Sequence, residues 1–190
     1  LWVAAAGTHP FSSWVKQQIS PFGRYPELVR FLQDVGRQLL VFGMHVHIGI
    51  EDQELLIEIM NQLRYFLPHL LALSTSSPFW HGRDTGLKSY RSVVFENLPR
   101  TGIPPQFEAF ASYRSYADTL LATGSIDEPT HIWWDVRPSE KFPTLEIRIP
   151  DMCTRVEETL CIVAIVQAII AKLIQLRRAN QSWRLYPKHM

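Results

Sequence analysis

Apolar residues recur along this chain with two periods, and the alternation between them predicts its elements. Between Glu27 and Leu40 the apolar positions Leu28, Phe31, Leu32 and Val35 follow the helical spacing, and Leu39 to Ile50 then switches to strand character. Glu51 and Asp52 stand where acidic residues favour a helix N-terminus, ahead of an apolar face of Leu55, Leu56, Ile59, Met60, Leu63, Phe66 and Leu67. Pro68 interrupts that helix, and an apolar turn or two from His69 to Ser74 follows. Phe107, Phe110, Ala111, Ala117, Leu120 and Leu121 mark another helix, ended by Gly124. His131 to Arg137 and Thr144 to Ile149 alternate as strands. Thr154 and Glu157 form a T-x-x-E capping box that opens a final helix running to about Ala179. Leu1 to Ala6 reads as a short buried strand closed by Gly7, with a loop from Thr8 to Pro26, and Thr75 to Pro105 reads as a long irregular segment of the kind that usually carries function.

Residues two apart in a strand share a face, so the strands can be read side by side. His45 and His47 point one way while Met44, Val46 and Ile48 point the other. Glu146 and Arg148 alternate with Leu145, Ile147 and Ile149, and His131, Trp133, Asp135 and Arg137 alternate with Ile132, Trp134 and Val136. A sheet face that merely meets water is expected to carry Lys, Thr, Ser and Glu. Histidines, carboxylates, arginines and a tryptophan are instead the groups that hold metals, phosphates and carboxylates. The long segment adds Arg83, Lys88, Arg91 and Arg100 beside Ser76, Ser77 and Thr85, residue types suited to capturing a carboxylate or a phosphate.

Composition narrows the choice. With 190 residues, 46% of them apolar, and 19 basic against 18 acidic side chains, the chain has the size and balance of one globular domain. A formal charge of +1 with no basic run argues against a protein held to nucleic acid by phosphate neutralisation. Two cysteines, Cys153 and Cys161, make no disulfide framework and sit in no C-x-x-C motif, which sets the cytoplasm as the expected compartment. Cys161, on the apolar stretch of the last helix, reads as core. Leu160 to Leu176 is interrupted by Gln167, Lys172 and Gln175 and falls short of the roughly 20 apolar residues of a membrane span. No phosphate-binding glycine loop and no nucleophile elbow occurs, so side chains and metal ions would have to hold any nucleotide. On the residues alone a zinc hydrolase using His45 and His47, with His131, Asp135 or Glu146 completing the site, stays open.

Longer stretches carry a more specific signal. Gly43-Met44-His45-Val46-His47-Ile48-Gly49, Leu73 through Trp80, Gly82-Arg83-Asp84-Thr85-Gly86, Ser89-Tyr90-Arg91-Ser92, Leu98-Pro99-Arg100-Thr101-Gly102, His131 through Arg137 and Leu145-Glu146-Ile147-Arg148 closely resemble, in the same order, the type 2 glutamate–cysteine ligases, a family of carboxylate-amine ligases. The resemblance implies an α+β, glutamine-synthetase-like fold whose antiparallel sheet has one face lined by active-site residues and helices on the other. It implies ATP-dependent amide formation, in which the glutamate γ-carboxylate is phosphorylated and the amine of cysteine, or a similar amine, displaces phosphate, with Mg²⁺ or Mn²⁺ as cofactor. The partners implied are therefore small molecules, namely ATP, glutamate and the amine, with neither nucleic acid nor membrane, and a homo-oligomer is compatible with it.

Carried onto this sequence, the resemblance makes Glu146 and His45 metal ligands, His47 a contact to the ATP phosphates, and Arg148 the stabiliser of the transferring phosphoryl group. Arg83, Arg91 and Ser77 become candidates for holding substrate. A run of three glutamates and an Asn-Arg-Trp-Arg-like segment that the family pattern includes are not found in residues 1–190. The expectation is thus an interior piece of a single catalytic domain, inactive by itself. Two readings compete with this one: the metal-dependent hydrolase, and a ligase-like domain that binds a metabolite without catalysis.

Overall fold

A computed structural model describes residues 4–23 and 25–185. In chain order the elements are α1 (Tyr25–Leu32), α2 (Asp34–Arg37), β1 (Val46–Gly49), α3 (Gln53–Leu63), α4 (Leu67–Ser74), β2 (Phe79–Trp80), β3 (Arg83–Asp84), α5 (Tyr90–Phe95), β4 (Thr101–Gly102), α6 (Phe110–Ala122), β5 (Trp133–Trp134), β6 (Val136–Pro138), β7 (Thr144–Ile147) and α7 (Val156–Arg178), with short 3₁₀ turns between some of them. This mixture of helices and small, mainly antiparallel sheets agrees with the α+β expectation.

The central sheet has the order β1-β7-β6 and is antiparallel throughout. Its register sets rows of like side chains across the three strands. Val46, Ile147 and Val136 form one row, and Ile48, Leu145 and Pro138 another. Between these rows, His47, Glu146 and Arg137 stand in line on the opposite face. The period-two alternation therefore does in space what it promised in sequence: Val46, Val136, Leu145 and Ile147 are buried in the core. α3 packs against β6 and β7, and α7 against β1, closing the apolar face. Ile59, Met60, Leu63 and Leu67 are completely or almost completely buried there, each contributing about 1.5–3 kcal/mol relative to an exposed side chain.

Asp52 caps α3 by accepting hydrogen bonds from the backbone N–H groups of Glu54 and Leu55. Asp52→Ala should lower stability by about 1 kcal/mol in urea unfolding. Pro68 lies in the first turn of α4, where its missing N–H costs nothing, so the interruption is a change of helix.

Several sequence expectations are corrected. The helix expected from Glu27 to Leu40 is split, because Gln33 adopts a left-handed conformation (φ 52°) between α1 and α2. The long strand expected from Leu39 is regular only in β1; before it, Val41 and Gly43 make single bridges to Thr8 and Asp151. The His131–Arg137 strand is broken: His131 lies in a 3₁₀ turn and β5 is separate from β6. Phe107 precedes α6, its N–H being bonded to the Asn61 side chain 3.2 Å away, and the helix begins at Phe110. Gly124, with φ +65°, follows α6 as expected. Thr154 does not cap α7; Arg155 occupies that position without a side-chain cap bond. The expected strand at Leu1 to Ala6 lies partly outside the described residues, and Ala4 to Ala6 form no regular element.

α7 is the least expected element. Its buried stripe is Ile162, Val166, Ile170 and Leu173, whereas Leu160 and Cys161 are exposed, so Cys161 is not a core residue. Length and composition alone would let this helix cross a membrane, contrary to the reading of its polar interruptions, and 22% of its most apolar window is buried.

Candidate active-site face

Glu146 is the centre of the polar face. Only 5% of the residue is exposed, and every strand of the sheet sends it a partner. Arg137 on β6 donates from Nε to Oε2 at 2.8 Å, and Arg148, just beyond β7, donates from Nη1 to Oε1 at 2.5 Å. From the β1 side, His45 Nδ1 lies 3.2 Å and His47 Nε2 3.7 Å from the same Oε1. The strand pairing explains this convergence, because His47 and Arg137 are both the register partners of Glu146. The histidine side chains keep 39% of their surface exposed. The face thus has a buried carboxylate–diarginine floor and an imidazole rim.

Each group is held by bonds running back to the scaffold. His47 Nδ1 is 2.9 Å from the Thr144 hydroxyl. Arg137 Nη1 donates to the carbonyls of Thr130 and Ile132, at 2.7 and 2.5 Å. The N–H of Arg148 donates to the Asp135 carbonyl at 2.7 Å. Burial alone would raise the Glu146 pKa, but the hydrogen bond with His45 and the charges of Arg148 and Arg137 outweigh it and hold the carboxyl far below the usual carboxylate range. Burial, with the charge of Arg137, lowers Arg148 to about 10, so it remains a cation at neutral pH.

His45 is pushed below its ordinary 6.5 chiefly by burial, which, with the lesser push of the Arg148 and Arg91 charges, overcomes the opposing pull of Glu146. Its ring is therefore neutral at pH 7. Protonating it costs more in the folded protein than in the unfolded chain, so its contribution favours folding above about pH 6.5 and is lost as pH falls through the native value. The ring-proton resonance of His45 should titrate with a midpoint below 6.5 in an NMR pH series; a midpoint above it would overturn this assignment.

The long segment is largely irregular, as expected, but it also carries the short elements β2, β3, α5 and β4, and its serines turn inward onto Asp151, which is completely buried. Asp151 accepts from the Ser77 hydroxyl at 2.6 Å, the Ser89 hydroxyl at 3.0 Å and the Ser76 N–H at 3.1 Å. Arg91 Nη1 lies 3.6 Å from it. A side chain on Gly7 would run into Asp151 and Ser77, at 2.8 and 2.9 Å, so the bare backbone there makes room for this cluster.

The basic residues of the segment are spread over different environments. Arg91 is buried, Arg83 is exposed on β3, and Lys88 is exposed. Arg100, in a left-handed conformation (φ 58°), donates from Nε to the His131 carbonyl at 3.1 Å and lies over the Trp133 ring. Of the candidate site residues, the fold gathers His45, His47, Glu146 and Arg148 on one face. Ser77 and Arg91 sit behind its end, in the Asp151 cluster, and Arg83 stands on the β2–β3 hairpin. Arg137 belongs to the face although the motif roles leave it out, and Asp151 gives no signal beyond a lone acidic residue in the apolar stretch from Ile149 to Cys153.

Comparison with known proteins agrees with the motif reading. Residues 1–188 match the family model described as glutamate-cysteine ligase family 2. The chain belongs to that family. It is 56% identical over 188 residues to a protein of Herpetosiphon aurantiacus named "Putative glutamate--cysteine ligase 2", an alignment covering 99% of this chain and 49% of the relative. Proteins of the same name from Rhodospirillum rubrum and Roseiflexus castenholzii are 53% and 52% identical, over 97% and 98% of this chain and 47% and 49% of theirs. The chain thus spans about half the length of these curated relatives. Membership supports an enzyme of ligase type.

The cofactor implied by the resemblance can be tested against the donors. A hard dication prefers several oxygen ligands. The face offers Glu146, whose two oxygens already serve Arg137 and Arg148, and two imidazoles. Among the described residues no group of three or more His, Cys, Asp and Glu is arranged to hold a metal ion. These residues do not by themselves fit Mg²⁺ or Mn²⁺.

Proposed function

We propose that this chain contributes the polar sheet face of an ATP-dependent carboxylate-amine ligase with a glutamine-synthetase-like floor. It would join the glutamate γ-carboxylate to the amino group of cysteine, or a similar amine, in the cytoplasm. The observation that carries the reading is the pair of guanidiniums, buried Arg148 and half-buried Arg137, flanking Glu146 beneath the histidine rim, in a chain of the glutamate–cysteine ligase family.

The chemistry needs such a face. A carboxylate is a poor electrophile and shares its charge with ATP, so bringing the two anions together requires fixed cations in a site that does not reorganise. In the first step a γ-carboxylate oxygen of glutamate attacks the γ-phosphorus of ATP, and the bond to the ADP oxygen breaks. In the second the amine nitrogen attacks the acyl carbon, phosphate leaves with its electron pair, and the nitrogen gives up a proton that the released phosphate can take up. Arg148 remains charged throughout the neutral range, and its Nε is buried without a hydrogen-bond partner among the described residues, a donor available to an anion once the side chain shifts. Arg148 is assigned to the transferring phosphoryl group and His47, at the exposed rim, to the ATP phosphates. Arg83, exposed on the hairpin, is the substrate-binding candidate that remains open to solvent. A requirement for Mg²⁺ or Mn²⁺ belongs to the same proposal, its ligands including oxygen donors other than Glu146.

A coupled phosphate-release assay on the full-length protein, with ATP and glutamate fixed and the amine varied, tests this directly. Release that requires glutamate and rises with cysteine or a related amine is expected. Absence of release with every amine would favour a metabolite-binding domain without catalysis.

A further inference from the structure

Arg91 sits where it can neither reach solvent nor avoid the backbone that carries Arg148. It is 4% exposed, and its guanidinium divides between two consecutive carbonyls: Nη2 donates to that of Arg148 at 3.0 Å and Nη1 to that of Ile149 at 2.9 Å. The Arg148 N–H is tied to the Asp135 carbonyl, so both ends of this residue's backbone are fixed just where it leaves β7. The fork is itself clamped. Its backbone N–H donates to the Ser77 hydroxyl at 3.0 Å, that hydroxyl donates to Asp151, and the Asp151 carboxylate faces the guanidinium. On its remaining sides lie the Phe95 ring and Gly43, where an added Cβ would collide with the guanidinium. Gly43 immediately precedes the Met44-His45-Val46-His47 run, so one contact locks the approaches to both site strands.

We infer that Arg91 is a positioning residue for Arg148. It bridges the carbonyls of Arg148 and Ile149 so that the Arg148 side chain stands over Glu146, and it is not a ligand of substrate. The inference rests on the proposed ligase reading for its functional meaning. Planar bidentate donation is what the role demands, and a lysine, with the same charge but a single ammonium head, cannot reproduce it. A displaced phosphoryl-handling group costs on the order of 100-fold in rate even when the substrates still bind.

The expected result for Arg91→Lys in the full-length protein is a fall in kcat of about 100-fold, with KM for glutamate and ATP changed less than about threefold. Gly43→Ala moves the same guanidinium while leaving every charged group in place, and should reproduce that pattern. In an Arg148→Ala background Arg91→Lys should cost less than a further threefold or so, because the two act through one group. A rise of tenfold or more in KM for glutamate with kcat preserved, or full additivity with Arg148→Ala, would overturn the inference and restore Arg91 as a substrate ligand. If the unmutated protein shows no glutamate-dependent turnover, the ligase reading fails, and the positioning is decided by crystal structures of the two variants. Arg148 displaced from Glu146 supports it; Arg148 unmoved refutes it.

Discussion

Glu146→Gln should reduce glutamate-dependent phosphate release to background and should also destabilise the protein by about 3 kcal/mol, the cost of breaking a buried ion pair from one side. Both effects have one cause. The carboxylate neutralises Arg137 and Arg148 in a site where only 6% of its side chain meets solvent. A neutral amide removes the carboxylate that both guanidiniums share, so the variant loses catalytic geometry and folding energy together. Motif reasoning alone would expect a dead enzyme with an intact fold, and burial is what changes that expectation.

The sign of the pH dependence follows. A carboxyl whose native pKa lies below its ordinary 4.5 contributes stability that is complete above that pH and is lost as pH falls toward the native value. Thermal melts of the unmodified protein should therefore lose stability steeply below about pH 4.5, and Glu146→Gln should show a shallower loss over the same range. Equal slopes would remove Glu146 from its central place in the electrostatics.

The second large effect is expected at Asp151. Asp151→Ala should cost about 4 kcal/mol in urea unfolding, because Arg91 would remain buried without the carboxylate that it pairs with and the hydroxyls of Ser77 and Ser89 would lose their acceptor. Asp34, whose pair with Arg37 is exposed, provides the contrast: Asp34→Ala should change stability by less than about 0.5 kcal/mol. Similar values for the two variants would show that the cluster contributes nothing beyond a surface pair.

What could be read from the sequence, and what could not, follows from the range of the forces involved. His45, His47, Glu146 and Arg148 were recoverable because alternation is a local property, and a strand has no means of placing them on different faces. Arg137 shares the same alternation, but its meeting with Glu146 depends on the β6–β7 register, which no spacing within one strand reveals. Ser77 and Arg91 have the residue types of an anion site. Type alone does not distinguish a guanidinium serving a ligand from one serving two carbonyls. Asp151 illustrates the limit, since an acidic residue usually signals surface and this one is fully buried because three distant donors converge on it. On α7 the apolar residues extend around the helix, so the sequence could not say that Cys161 would fall on the uncovered side.

In the proposed reaction glutamate is activated through an acyl phosphate on this face. The most direct measurement is the fate of oxygen from glutamate labelled with ¹⁸O in its γ-carboxylate, incubated with ATP, an accepted amine and the full-length protein. Mass analysis of the released phosphate should find one labelled oxygen for each amide formed, since the bond that breaks in the second step lies between the acyl carbon and a former carboxylate oxygen. Amide formation accompanied by unlabelled phosphate would contradict the account.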